Sequence, residues 1–292
     1  MEFWLRSLRE KKMSILIDGK ALAQKLRGEL KEKIEQFKKT RGEIGLAVVL
    51  IGEDPASQVY VRNKIRACEE VGIKSFSYHL PATASQEEAE ALVDELVSSD
   101  KVHGILVQLP LPKHLDEQKI LRRIPAEKDV DGFCAENVGN LAMNRQTIVA
   151  CTPFGVMKML EEYGVDPKGK NAVVLGRSNI VGKPMAMLLV NADATVTVCH
   201  SKTRDLKSIC AAADILVVAI GRAKFVTADM VKEGAVVIDV GMDRDENGKL
   251  CGDVDFENVK DKVSYITPVP GGVGPMTITM LMYNTYIAAT RR

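Results

Sequence analysis

The stretch Val173-Val174-Leu175-Gly176-Arg177-Ser178-Asn179-Ile180-Val181-Gly182-Lys183-Pro184 decides how this chain is read. An apolar run at 171–175 enters a turn of small residues, and a helix start comes next. That is how α/β proteins hold the phosphates of a nucleotide cofactor. The usual Gly-x-Gly-x-x-Gly spacing is altered, with Ser178 in place of the middle glycine. A glycine turn on its own also serves tight geometry alone, so the reading rests on the strands beyond it. Three further short apolar runs, at 194–199, 214–220 and 235–240, recur at βα spacing and are rich in β-branched residues, as parallel strands buried on both faces are. Gly221 and Gly241 end two of them, at the edge where open α/β sheets bind ligands.

The next strand indicates which nucleotide. NAD-binding units place an acidic residue about 20 positions beyond the first glycine, on the ribose hydroxyls. Here the 194–199 strand runs into His200-Ser201-Lys202-Thr203, which has no carboxylate, and Arg177 lies in the turn itself. An arginine with a Ser/Lys-rich strand end suits a ribose phosphate, so the cofactor expected is NADP.

Composition sets the bounds. The 292 residues allow one large domain or two of ordinary size, and 46% hydrophobic with 27% charged residues is a globular composition. A formal charge of +1 supplies no field for nucleic acid or an anionic membrane, and no apolar stretch reaches the ~20 residues that span a bilayer. The six cysteines, Cys68, Cys134, Cys151, Cys199, Cys210 and Cys251, are scattered without a Cys-x-x-Cys pair, which suits buried thiols in a reducing cytoplasm. With four histidines and none at ligand spacing to a cysteine pair, no metal site is expected. Residues 1–12 are basic, lack an apolar core and precede Met13-Ser14, so they read as a disordered extension and not a secretory signal.

The first half has its own α/β rhythm. Helical spacing marks 20–39, strands are expected at 46–51, 76–80 and 104–108, and Gly72 stops a helix opened at Ala56 or Ser57. Ser85-Gln86-Glu87-Glu88 is a capping box for a helix to about Ser98, and a short helix is expected near 116–124. Periodicity lapses over 125–152, which reads as a long functional loop or a domain junction. The expected organisation is two α/β domains around a cleft. Residues 13–150 form the first, completed by an apolar helix at 276–292, and 151–275 form the second, a Rossmann-like doubly wound parallel sheet.

Several side chains in the first domain could do chemistry. Tyr60 and Lys64 lie four apart on one helix face, near its expected start. Such a pair is either an ordinary amphipathic face or, with the lysine stripped of water, an acid/base group. Gln108 is the polar residue ending a buried strand: a satisfied core amide, or a group that orients a lysine or a water. Lys128-Asp129-Val130-Asp131-Gly132 carries two carboxylates that either cap and solvate or accept paired N–H donors from a flat heterocycle. The Pro/Gly segment 270–275 is either a rigid interdomain hinge or a backbone clasp for a ligand.

Taken together, Tyr60-Val61-x-x-Lys64, Gly104-Ile105-Leu106-Val107-Gln108-Leu109-Pro110-Leu111-Pro112, Lys128-Asp129-Val130-Asp131-Gly132, Gly176-Arg177-Ser178 and 268–277 closely resemble the methylenetetrahydrofolate dehydrogenase/methenyltetrahydrofolate cyclohydrolase family in its bacterial form. The resemblance runs from about residue 15 to 290. It implies NADP-dependent oxidation of a methylene-folate, then hydrolysis of the methenyl product to formyl-tetrahydrofolate. By resemblance Lys64 is the central acid/base, Gln108 holds it, and Tyr60 stacks on the aminobenzoate ring. Asp131 takes the pterin N–H edge, and Val107, Leu109, Pro270, Gly271 and Gly272 line the folate. Gly176, Arg177 and Ser178 hold cofactor phosphates, Ser201 lies near the ribose phosphate, and Met242, where many relatives have Ile, lies beside the nicotinamide. The resemblance also implies a cytoplasmic homodimer.

Overall fold

The computed structural model describes residues 14–291; the extension expected at 1–12 lies outside the described residues. In chain order the elements are β1 (Ile15–Leu16), α1 (Gly19–Arg41), β2 (Gly45–Ile51), α2 (Pro55–Val71), β3 (Lys74–Leu80), α3 (Gln86–Ser98), β4 (Gly104–Val107), α4 (Glu117–Leu121), α5 (Ala135–Ala142) and α6 (Cys151–Glu162). Then come β5 (Asn171–Leu175), α7 (Gly182–Asn191), β6 (Thr195–Cys199), α8 (Leu206–Ala211), β7 (Ile215–Val218), β8 (Val236–Asp239), β9 (Asp243–Arg244), β10 (Leu250–Cys251), α9 (Phe256–Val259), β11 (Tyr265–Ile266) and α10 (Val273–Thr290).

The chain divides into two compact units. One comprises 14–20 with Val156–Gly274, the other Ala21–Gly155 with 275–291. Nearly all of α10 is thus packed with the first half of the sequence. The reason is chemical: Met276, Met280, Leu281, Met282, Asn284 and Ala288 are buried, so the helix has no free polar face to turn to water.

In the unit built on 156–274 the sheet order is β1-β11-β8-β7-β5-β6, and all its pairings are parallel. Val173, Leu175, Leu216, Val218, Val237 and Ile266 pack one continuous core with Val226, Val254 and Val259. Strands β5, β7 and β8, buried in the sheet, need this unbroken β-branched composition. In contrast, β6 lies at the sheet edge with Thr195 and Val198 exposed and is not the fully buried strand expected at 194–199. From β5 the chain pairs β6 on one side and β7 on the other, so the strand order reverses there. At such a switch point the turns diverge and leave a crevice at the carboxyl edge.

The other unit holds a three-stranded parallel sheet, β3-β2-β4, with β2 in the middle. It has a switch point of its own, between β2 and β4. Asp54 caps α2 by accepting from the Ser57 N–H at 2.7 Å, with Pro55 in the first turn, so the helix opens earlier than its sequence suggested. Gly72 closes it in the left-handed region at φ 86°. The Ser85 capping box is present in full.

Two further readings are corrected. The 125–152 stretch contains α5, and the segment 270–275 is no uninterrupted loop, since α10 begins at Val273 and takes in Gly274 and Pro275.

Candidate functional site

Gln108 comes directly after β4, at the carboxyl edge and beside the switch point; the strand itself ends at Val107. Its Nε2 donates to the Leu109 carbonyl at 2.7 Å, which fixes the amide and turns Oε1 toward α2. Lys64 Nζ donates to that Oε1 at 2.9 Å. Lys64 is half-buried and lies in the middle of α2, not near its start, because the helix begins at Pro55. Gln108 is 9% exposed and its amide is satisfied at both ends, by Lys64 and by the Leu109 carbonyl. Val107 is buried, Leu109 half-buried, and Tyr60 is exposed one helical turn before Lys64.

The loop after α4 separates its charged residues by task. Lys128 is 2% exposed, and its ammonium donates to the carbonyls of Leu96 (3.3 Å), Val97 (2.6 Å) and Ser99 (2.8 Å) at the carboxyl end of α3. A cation there satisfies the last carbonyls and complements the helix dipole. Asp129 accepts from the N–H groups of Gly132 (3.1 Å) and Cys134 (2.7 Å) and from Asn137 Nδ2 (3.1 Å), which fastens the loop to α5. From α10, Asn284 Nδ2 donates to the carbonyls of Val130 (2.9 Å) and Val149 (2.8 Å). Asp131 is therefore held from both sides. Burial pushes its carboxyl up to about 6, the Lys64 ammonium pulls it partly back, and Asp129 adds to the rise. A carboxylate so placed is ready for a ligand that supplies N–H donors and offsets its desolvation.

In the six-stranded unit, Gly176 directly follows β5 at φ 130°, and a Cβ there would lie 2.2 Å from the Ala219 carbonyl oxygen. A Cβ at Gly182 would lie 2.2 Å from the Gly176 carbonyl oxygen. Only glycine lets these backbones approach so closely. Gly182 is the third glycine of the motif, displaced by one residue, which hides it from the usual spacing. Ser178 Oγ accepts from the N–H groups of Val181 (3.1 Å) and Gly182 (3.3 Å), so its hydroxyl shapes the turn where a glycine is usual. Arg177, Ser178 and, after β6, Ser201 are exposed. His200 and Thr203 close the turn around Ser201: the His200 N–H donates to Thr203 Oγ1 at 2.9 Å, and the Lys202 N–H donates to His200 Nδ1 at 3.1 Å. Met242, after β8, is 52% exposed. The donor set of guanidinium, hydroxyls and the amino end of α7 suits a phosphorylated dinucleotide, and the glycine cradle gives it room.

Pro270, Gly271 and Gly272 lie after β11, in the six-stranded unit with the Gly176 turn. Gly271 is at φ 104°, its carbonyl accepts from the Lys20 N–H at 2.9 Å, and a Cβ at Gly272 would meet the Pro268 carbonyl oxygen at 2.5 Å. Among the described residues no cluster of His, Cys, Asp and Glu could hold a metal ion, and no helix is long and apolar enough to cross a membrane. The six cysteines are free, and burial pushes the thiols of Cys68 and Cys210 up to about 12.

A doubly wound sheet with a glycine turn at its switch point, together with a unit presenting a lysine, an amide and a half-buried carboxylate, fits a nucleotide-dependent enzyme. The chain belongs to the tetrahydrofolate dehydrogenase/cyclohydrolase family. The family's catalytic-domain model matches residues 17–131 and its NAD(P)-binding-domain model residues 150–292. The bifunctional protein FolD of Moorella thermoacetica is 59% identical over 276 residues, 94% of this chain and 99% of the relative. The crystal structure of the bifunctional FolD methylenetetrahydrofolate dehydrogenase/cyclohydrolase from Campylobacter jejuni is 55% identical with a TM-score of 0.93, covering 96% of this chain and 99% of that one. The dehydrogenase-cyclohydrolase of Trypanosoma brucei, solved with NADP cofactor and an inhibitor, is 43% identical with a TM-score of 0.91 over 96% and 98% of the two chains.

Proposed function

We infer that this chain is a bifunctional enzyme of one-carbon metabolism. It oxidises methylene-tetrahydrofolate with NADP⁺ to the methenyl cation and NADPH, then adds water to give formyl-tetrahydrofolate and a proton. The observation that carries this reading is the Lys64–Gln108 pair beside a half-buried Asp131 in one unit, with the Gly176–Ser178 turn in the other. The labour divides accordingly: the unit of 21–155 with 275–291 binds the folate, and the unit of 14–20 with 156–274 binds NADP.

When bound, NADP⁺ supplies the hydride acceptor. Arg177 and Ser201 hold its ribose phosphate, Gly176 and Ser178 its pyrophosphate, and Met242 lies on the nicotinamide side. Because the methylene carbon is flanked by nitrogen lone pairs, the oxidation needs orientation more than covalent help. Asp131 orients the pterin by accepting two of its N–H bonds, Tyr60 stacks on the aminobenzoate ring, and Val107 and Leu109 exclude water. In the hydrolysis Lys64 moves the proton. As the free amine it takes one proton from the attacking water and returns it to the ring nitrogen as the carbon–nitrogen bond breaks. The second proton of that water leaves to solvent as the formyl C=O forms, while Gln108 Oε1 holds Nζ in line.

The enzyme acts in the cytoplasm as a homodimer, a state supported by the resemblance that runs through most of the chain. A spectrophotometric assay with methylene-tetrahydrofolate and NADP⁺ tests the function. NADPH formed without lasting methenyl build-up is the expected result. Build-up would remove the hydrolase from this reading, and no reduction of NADP⁺ would overturn it.

A further inference from the structure

Two buried carboxylates at the carboxyl edge of the six-stranded sheet have no part in the chemistry above. Asp239 ends β8 and Asp253 lies just after β10; they are 3% and 0% exposed. Asp239 accepts from the N–H groups of Gly241 (2.9 Å), Asp253 (3.0 Å) and Val254 (2.9 Å). Asp253, its backbone so anchored, accepts from the N–H groups of Ile220 (2.7 Å), Gly221 (3.3 Å) and Arg222 (2.6 Å), the turn after β7. The packing leaves no slack: a Cβ at Gly252 would lie 2.0 Å from Asp239 Oδ2, and one at Gly241 would lie 2.4 Å from the Asp253 nitrogen. Asp243 lies close to Asp253, and burial first and that neighbouring carboxylate second raise its pKa. Met242 directly follows Gly241, whose N–H is held by Asp239.

A row of N–H groups drawn inward has a consequence for the carbonyls. Cis peptide bonds among the described residues occur only at Pro110 and Pro270, so the 219–222 peptides are trans and each carbonyl points opposite the N–H of the next residue. The Ala219 carbonyl obeys this, facing the Gly176 turn. The carbonyls of Ile220 and Gly221 then point away from Asp253, toward the exposed side of a turn in which Gly221 is itself exposed. The switch point between β5 and β7 assigns the adenosine half of a dinucleotide to the β5–β6 side. The other half falls over the ends of β7 and β8.

We propose that Asp253, anchored by Asp239, is a positioning residue for the nicotinamide half of the cofactor. It presents the carbonyl oxygens of Ile220 and Gly221 as acceptors for the carboxamide N–H group. This rests on the NADP-dependent reading given above.

The test compares NADP⁺ with its 3-acetylpyridine analogue, in which a methyl ketone replaces the carboxamide and no N–H remains. In Asp253→Asn the amide oxygen still accepts on one side, but Nδ2 faces a backbone N–H on the other, donor to donor, and the turn is loosened. The expected result is that kcat/KM for NADP⁺ falls about tenfold, the value of one hydrogen bond, while that for the analogue falls less than about threefold. Cyclohydrolase activity, which uses residues of the other unit, should stay within about twofold and reports folding. Equal losses with both cofactors, or no loss with either, would overturn the proposal. If Asp253→Asn does not fold, Asp239→Asn is put through the same comparison, with the same split expected and equal losses again fatal. A wild-type enzyme that fails to reduce NADP⁺ would instead refute the parent reading, so the two failures are told apart.

Discussion

Replacing Asp131 by asparagine should weaken the folate site and stabilise the fold, and the gain should depend on pH in a defined way. Burial raises the Asp131 carboxyl from 3.8 to about 6, the Lys64 ammonium offsetting only part of the rise. Two units at about 1.4 kcal/mol each put the cost of holding the ionised group near 3 kcal/mol. The side chain keeps some contact with water, so about 1–3 kcal/mol is the working range. Proton linkage sets the sign. Because the folded-state value is raised, the native protein binds the extra proton between pH 4 and 6. The contribution to stability is full below pH 4, declines as pH rises to about 6, and stays low above it. Asp131→Asn removes that decline. Urea unfolding of both proteins at pH 5, 6, 7 and 8 should show the variant's advantage growing to pH 6 and then levelling off. A parallel titration of the Asp131 carboxyl by carbon NMR should give a midpoint near 6. A variant less stable than wild type at pH 8, or a difference that ignores pH, would refute the reasoning. In the same variant the pterin loses a two-bond acceptor, and KM for the folate should rise at least about tenfold.

The same geometry sets other outcomes. Lys64→Met should abolish cyclohydrolase activity while NADP⁺ affinity, read by fluorescence titration, stays within about twofold; equal hydrolysis by variant and wild type would remove Lys64 from the proton path. Arg177→Ala should raise KM for NADP⁺ by about tenfold or more and that for NAD⁺ far less; matching increases would assign the guanidinium to the shared pyrophosphate. Lys128→Met strips the carbonyls of Val97 and Ser99 of a charged donor, and urea unfolding should register a loss of about 2–4 kcal/mol. A change under about 0.5 kcal/mol would show that α3 ends without help from the lysine.

Much of the architecture was legible because each signal is local. Buried parallel strands must be continuous apolar runs, Ser85 caps α3 by bonds three residues away, and Gly72 and Gly176 stand where the backbone enters a region that side chains avoid. The residue types at the site were legible for the same reason. A lysine four positions after a tyrosine on a helix, and an amide at a strand end, are facts of spacing.

Spacing cannot supply a partner remote in sequence. Helix α5 escapes a pattern-based reading because its glycine and asparagines are poor helix formers. It is held instead by Asn137, whose amide donates to Asp129 and to the Ala126 carbonyl. The two residues of β1 are a strand only because Ile15 and Leu16 pair with Tyr265 and Ile266 at the far end of the chain. Lys128, Asp129 and Asp131 are equivalent as a run of charges. Burial and hydrogen bonding alone make the first a helix cap, the second a loop fastener and the third an unspent carboxylate. Asp253 is one more acid in the sequence until the fold brings it under the turn after β7 and gives it three backbone donors. Local free-energy preferences, which act within a few residues, determined the elements and the chemistry on offer. Desolvation and hydrogen-bond satisfaction, which exist only once distant segments meet, decided which of those groups became structure and which stayed available to a ligand.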